Sequence, residues 1–361
     1  MMNDLQVLKD IYLENFRCHQ ELLVEGFSAT NLITGPNGSG KTTLLEAIYF
    51  LARCKSFRTG VNKDLIAKGQ QYFAIRGDFD SKSTHRQKVV WSSSGRELSI
   101  DKDENVRFNR YWGASLVVVI ANQDKRLVDG PAQKRRSWAD SLMATLDQDY
   151  LHILQDARAL LKQKSALLKH NKMDRSLWEI YTDKLTEITT KIATGREQLT
   201  QRMSPVMEGF YSELTNGKEK LEISYESRAE SVLNYPKEKL LHKEMQMAQP
   251  ILGPHRDDWT FKLEGGDIRV FGSEGQQKST ALALKLAEQK LIEVCTQKKP
   301  IVLVDDALNE LDDARKKRFW EYLPKETQLF YATPEINQSS IRPLNEAKIW
   351  RTSHSEIIQE P

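Results

Sequence analysis

Hydrophobic positions change rhythm along the chain. Over residues 5–34 they come in short β-like runs, LQVLKDIYL and NLIT. A glycine-rich turn follows, and TTLLEAIYFLA then sets Leu44, Leu45, Ile48 and Leu51 on one helical face. Residues 72–108 alternate and turn often (YFAIRGDFD, RQKVVW, RELSID), which predicts antiparallel strands. SLVVVIA, at 115–121, is a continuous apolar run and suits a buried parallel strand.

From about 131 to 214 the period becomes helical. Tyr150, Ile153, Leu154, Ala157, Leu160, Leu161, Leu167 and Leu168 form one apolar stripe. Trp178, Tyr181, Leu185, Ile188 and Ile192 follow at alternating spacings of three and four, and Leu199 resumes the series after Gly195. Ser176 with Glu179 reads as a capping box at the start, and Pro205 as the place where the run ends or kinks. About three heptads suit either a short antiparallel hairpin of coiled-coil character or an ordinary amphipathic bundle. Past about 245, strands and turns return in WTFKLEGGDIRVF, then a strong helix in STALALKLAEQKLIEVC, then a buried strand in PIVLVDD. The expected organisation is an α/β domain in two parts, 1–128 and 245–361, interrupted by a helical insertion at 129–244.

A chain of 361 residues has room for two domains. A formal charge of +3 is too mild to name nucleic acid as a partner by itself. The cysteines, Cys18, Cys54 and Cys295, are scattered and in no CxxC spacing, so reduced thiols in a cytoplasmic protein are expected, without disulfide or zinc. The N-terminus carries charges where a signal peptide needs an apolar core. The apolar runs fall short of the roughly 20 residues of a membrane helix.

Two stretches carry chemistry. GPNGSGKT, residues 35–42, satisfies the phosphate-loop pattern between a strand-like run and a helix. Gly35, Gly38 and Gly40, with Pro36, Asn37 and Ser39 between them, let successive N–H groups turn toward phosphate oxygens. Lys41 is expected to reach the β- and γ-phosphates, Thr42 to ligate Mg²⁺, and Thr43 to join them among the nucleotide-binding residues. IVLVDD, residues 301–306, ends an apolar strand in two carboxylates. Asp305 is placed to hold Mg²⁺, and Asp306 to polarise an attacking water. In compact P-loop kinases and GTPases these motifs lie close together, whereas here they lie at 42 and 301. A third stretch, FGSEGQQ at 271–277, precedes the strong helix. It reads either as a plain N-capping turn or as an anion cap of one hydroxyl, unencumbered N–H groups and a helix dipole.

The stretches LENFR (13–17), GPNGSGKTTLLEAIYFLARCKSFR (35–58), GPHRDDW (253–259), SEGQQKSTALALKLAE (273–288) and VDDALNELDDARKKRF (304–319) together resemble the SMC/Rad50-like ABC-type ATPases. Within that group the resemblance is to the RecF family of DNA replication and repair proteins. It covers most of the two α/β segments, while the helical middle matches only in character. It implies an ABC-type P-loop ATPase head with a helical, short coiled-coil-like insertion, binding ATP and Mg²⁺. It makes Ser273, Gly275 and Gln276 a signature turn that closes on the ATP of a second copy. It makes Gln123 a sensor of Mg²⁺ and the γ-phosphate, although the family more usually has Pro-Glu-Asp where this chain has Asn122-Gln123-Asp124. Asn309-Glu310-Leu311-Asp312 would be the D-loop, Thr333 the switch position and Arg17 a basic residue approaching the nucleotide. Asp306 stands where many relatives have Glu, which favours slow turnover.

The implied function is a homodimer that ATP closes on duplex DNA beside single-stranded gaps. It would help RecO and RecR load RecA in recombinational repair, replication and the SOS response, with weak, DNA-stimulated hydrolysis releasing it. Basic clusters at Arg53-Lys55-Arg58, Lys134-Arg135-Arg136 and Arg315-Lys316-Lys317-Arg318 are candidate phosphate contacts, each weighed against a plain solvated face. The competing reading is a soluble P-loop kinase acting on a small molecule, which leaves FGSEGQQ unexplained. A tether with long arms is disfavoured by the short insertion and the missing zinc-hook cysteines.

Overall fold

A computed structural model describes residues 4–170, 174–217, 219–229, 234–308, 311–324, 326–334, 347–353 and 356–360. The chain forms two compact units. One is Met1–Asp124, Glu213–Thr215 and Leu282–Pro361; the other is Lys125–Ser212 and Asn216–Ala281.

The first unit holds two large sheets and a short parallel pair, Asp4–Leu5 with Lys298–Lys299. The six-stranded sheet runs Glu356–Gln359, Lys348–Ser353, Thr30–Thr34, Leu329–Thr333, Ile301–Asp305, Val117–Ala121. Its pairs are parallel except the first, which is antiparallel. The five-stranded sheet is antiparallel, in the order His19–Glu25, Val7–Phe16, Tyr72–Asp80, Arg86–Ser92, Gly95–Ile100. The helix Lys41–Arg53 shares one core with both: Leu44, Leu45, Ile48 and Leu51 cluster with Leu13, Phe16 and Phe73 and with Ile33, Val119 and Leu303. Ala47, Phe50 and Ala52 are buried as well. This helix is therefore apolar nearly all round, as one buried among several partners must be. Val117–Ala121 is buried throughout and parallel to Ile301–Asp305, as its unbroken apolar run predicts.

The second unit contains the helices Ala132–Leu146, Gln148–Leu168 and Lys237–Met247, and most of a 41-residue helix, Arg175–Thr215. Tyr150, Leu154 and Ala157 pack on Ile192, so the two apolar stripes meet as the spacing predicts. The gap in the second stripe has a use: a Cβ on Gly195 would sit 3.1 Å from both Met143 and Tyr150.

Three local expectations are corrected. The long helix is capped by Asp174, whose carboxylate accepts from Leu177 N at 3.1 Å, and Ser176 lies inside the first turn. An ionised carboxylate is the stronger acceptor of the two. Of the two outcomes open to Pro205, an end to the helix is the one that fails: it lies inside the helix, with Met203, Met207 and Tyr211 buried around it. Strands also return before residue 245: Leu221–Glu226 pairs antiparallel with Asp258–Leu263, with Tyr225 opposite Trp259. Among the described residues no helix is long and apolar enough to cross a membrane.

Candidate functional site

The loop between Thr30–Thr34 and the helix Lys41–Arg53 turns on three left-handed glycines, Gly35 (φ 146°), Gly38 (φ 80°) and Gly40 (φ 104°). A Cβ on Gly35 would lie 2.5 Å from Thr352 O, so glycine is required there twice over. Ser39 is buried in the loop and hydrogen-bonds the Thr352 hydroxyl. Lys41 opens the helix, and its Nζ donates to Gly35 O (2.7 Å) and Pro36 O (2.9 Å). Burial lowers the pKa of this ammonium, while Asp306 and Asp305 pull it back up.

Thr42 donates from Oγ1 to Asp305 Oδ1 at 2.8 Å, joining the loop to the acidic strand across 263 residues of sequence. Sheet register brings this about, since Asp305 lies between Ala121 and Ala332 at the carboxyl ends of parallel strands. Asp306 follows in a left-handed conformation (φ 53°). A cavity of about 570 Å³ opens here, with Arg17, Asn37, Lys41, Thr42, Thr43 and Asp306 on its walls. Arg17 reaches it from a tight turn between Val7–Phe16 and His19–Glu25, where Phe16 pairs with His19 and Arg17 takes φ 57°.

Burial pushes the Asp305 carboxyl up to about 6; the Thr42 hydroxyl opposes this and Asp306 adds to it. A folded-state pKa of about 6 against an ordinary 3.8 means the native state holds this proton better than the unfolded chain. The charged form then costs up to about 3 kcal/mol above pH 6, and the cost fades as pH falls toward 4. With chelator present and no nucleotide, Asp305→Asn keeps the acceptor for Thr42 and removes the charge. It is expected to stabilise the fold by about 1–2 kcal/mol at pH 7.5 and by about a third as much at pH 4.5. Urea midpoints at both pH values check this, and an equal effect at both would refute the assignment.

Gln123 stands in the turn Asn122–Leu127, and its Nε2 donates to Phe57 O at 2.5 Å. Beside it, Asp124 accepts from Ala121 N at 2.7 Å, and burial raises its carboxyl to about 6 against the pull of Lys285. Thr333 is buried at the end of its strand. Asp312 caps Asp313–Tyr322 by accepting from Arg315 N at 2.8 Å. Asn309 and Glu310 lie outside the described residues.

Ser273, Gly275 and Gln276 belong to the second unit. Ser273 and Gln276 form a reciprocal capping box. Gln276 N donates to Ser273 Oγ at 3.3 Å, and Ser273 N donates to Gln276 Oε1 at 2.7 Å. The helix therefore starts at Glu274, several residues ahead of the apolar run that announced it, with Ser273 exposed at its tip.

The basic clusters divide. Arg53 is buried, donating to Val117 O at 3.1 Å, whereas Arg58 lines the cavity. Arg135, 1% exposed, forms a fork with Asp258 at 2.7 and 3.0 Å, and Arg136 donates to Asp257 O at 2.8 Å. The stretch 253–259, which carried resemblance without a role, is thus an internal lock. The pattern also gave no notice of Glu46. It is a charged residue amid LLEAIYF, and that is its only signal in the sequence.

The family described as RecF/RecN/SMC N terminal domain matches residues 7–340. The DNA replication and repair protein RecF of Staphylococcus carnosus (strain TM300) is 32% identical over 368 residues, covering 98% of this chain and 100% of the relative. That of Ligilactobacillus salivarius (strain UCC118) is 31% identical over 369 residues, covering 98% and 97%. A solved structure of the recombination mediator protein RecF with ATP superposes with a TM-score of 0.88 at 26% identity, covering 99% of this chain and 98% of that one. An Smc head domain from Pyrococcus furiosus, at 17% identity and a TM-score of 0.56 over 98% of this chain and 96% of its own, shares the fold. Sequence, fold and phosphate loop agree: the chain belongs to the RecF/RecN/SMC family of SMC/Rad50-like ABC ATPases, in its RecF branch.

Proposed function

We propose that the chain is an ATP-switched DNA-binding protein of recombinational repair and replication restart. The observation that carries this is the Thr42–Asp305 hydrogen bond at 2.8 Å beside Lys41, which unites two nucleotide motifs in one cavity. Relatives named as DNA replication and repair proteins, and a RecF structure with ATP, support the same reading.

The loop N–H groups and the helix N-terminus at Lys41 take the phosphates. The Lys41 ammonium exchanges the Gly35 and Pro36 carbonyls for phosphate oxygens. One hydroxyl and one carboxylate in contact suit an ion that takes few protein ligands. Mg²⁺, when bound, would be held by Thr42 and Asp305, with Gln123 as a further donor, and would neutralise phosphate charge. Asp306 orients the attacking water and accepts its proton.

Ser273, Gly275 and Gln276 close on the nucleotide of a second copy, so the γ-phosphate favours the homodimer over separate chains. The dimer holds duplex DNA beside single-stranded gaps, works with RecR and RecO, and so serves RecA loading. Slow, DNA-stimulated hydrolysis lets the dimer part.

Sedimentation with and without ATP, repeated with duplex DNA, tests the reading. The wild type is expected to dimerise only with ATP. Ser273→Arg, which also removes a helix cap worth about 1 kcal/mol, is expected to bind ATP as the wild type does and remain monomeric. Full dimerisation of this variant would exclude the signature role.

A further inference from the structure

Glu46 lies one helical turn beyond Thr42, on the helix that begins with Lys41. Its side chain is fully buried (0% exposed). A carboxylate in that position is costly unless it is paired and hydrogen-bonded, and here it is both. Arg17 grips it with a fork, Nε to Oε2 at 2.8 Å and Nη2 to Oε1 at 2.7 Å. The Ser56 hydroxyl donates to Oε1, and Arg58 Nη1 stands 3.6 Å from Oε2.

Each of these partners leads to the cavity. Arg17 and Arg58 lie on its wall. Arg17 is held at a second point, Nη1 to Asp64 O at 3.1 Å, which leaves further N–H groups on a guanidinium with fixed orientation. Ser56 Oγ also accepts from Arg58 N (2.9 Å) and Thr59 N (3.1 Å), so the same hydroxyl that reports to Glu46 shapes the turn carrying Arg58. The next residue in that turn, Phe57, offers its carbonyl to Gln123. One buried carboxylate thus fixes Arg17 on the pocket wall, attracts Arg58 beside it by charge, and anchors the loop that holds Gln123.

We propose that Glu46 is a positioning residue for nucleotide binding, which acts by presenting the guanidinium groups of Arg17 and Arg58 to the triphosphate. This rests on the nucleotide reading above. The cavity's other cations, Lys41 and Lys68, lie on flexible stems, while a planar fork locked by a carboxylate is pre-organised and loses little freedom when an anion arrives.

The test uses the full-length chain, a fluorescent ATP analogue for affinity, and phosphate release for turnover. Glu46→Gln keeps the size and removes the charge that locks Arg17 and attracts Arg58. Its Kd for the analogue is expected to rise about tenfold, with kcat within about twofold of wild type. Ser56→Ala, the milder change, is expected to raise Kd about threefold, and it decides the matter should Glu46→Gln not fold. In a double-mutant cycle, Arg17→Ala with Glu46→Gln is expected to lose less than the product of the single losses, because one substitution acts through the other. Unchanged Kd with a lowered melting temperature would overturn the proposal and leave Glu46 a structural ion pair, as would losses that multiply. If the wild type itself failed to bind the analogue, the nucleotide reading would fall instead.

Discussion

Lys41→Met is expected to abolish measurable ATP binding and to lower hydrolysis at least about a hundredfold, the usual scale for losing one pre-organised donor at a transferring group. The ammonium sits at the first residue of the helix, where loop N–H groups and the helix dipole already favour an anion. Its two present partners are carbonyls of the loop itself, Gly35 and Pro36, so no covalent or packing change is needed to free it. Methionine has similar length and no donor. The fold itself should tolerate the change. Burial already works against the lysine's charge, and the Asp306 and Asp305 carboxylates pull the other way. The melting temperature of the nucleotide-free variant is expected to match or slightly exceed that of the wild type. Equilibrium dialysis with ATP, beside a thermal melt, separates the two effects. Binding within threefold of wild type would mean that the cavity beside Thr42 and Asp305 is not the nucleotide site.

The parts of this site that were legible in the sequence are those whose chemistry is local. Gly35, Gly38 and Gly40 recur because each φ is positive, and a backbone demand of that kind leaves its mark in consecutive residues. Asp305 was legible because an apolar strand of a parallel sheet ends at the sheet's carboxyl edge, where ligands bind. Glu46 was not, because its partners, Arg17 and Ser56, lie 29 and 10 residues away and nothing in LLEAIYF names them. The basic cluster at 134–136 misled for the same reason. Arg135 finds Asp258 at a separation of 123 residues, and a run of Lys-Arg-Arg looks the same whether its charges face water or a buried carboxylate. Helix ends depend on single hydrogen bonds. Asp174 outcompetes Ser176, and the Ser273–Gln276 box begins a helix ahead of its apolar stripe.

Asp257→Ala is expected to cost the second unit about 3–5 kcal/mol, the scale for breaking a buried ion pair from one side. Asp257 is 0% exposed. Its Oδ2 accepts from Arg196 Nη1 at 2.5 Å and from the Tyr225 hydroxyl at 2.5 Å, and its Oδ1 accepts from Arg228 N at 2.9 Å. Arg196 is also buried, donates to Pro254 O at 2.7 Å, and shares its charge with Asp140 at 2.9 Å. Burial alone would lower the Arg196 pKa; Asp140 leads the groups, Asp257 among them, that more than offset it, so the guanidinium stays charged across the working range. Removing Asp257 leaves that cation with one carboxylate instead of two, and strands the Tyr225 hydroxyl and the Arg228 N–H. Hydrophobic packing cannot make up the difference, because the vacated space is lined by donors. Asp257→Asn keeps one acceptor and loses the charge, and should cost about half as much. Urea unfolding, followed by hydrogen exchange at the strand Asp258–Leu263, measures both, since this strand begins at the next residue. A loss below about 1 kcal/mol for the alanine variant would show that Arg196 finds another anion or water, and that the stretch 253–259 is held in place by something other than charge.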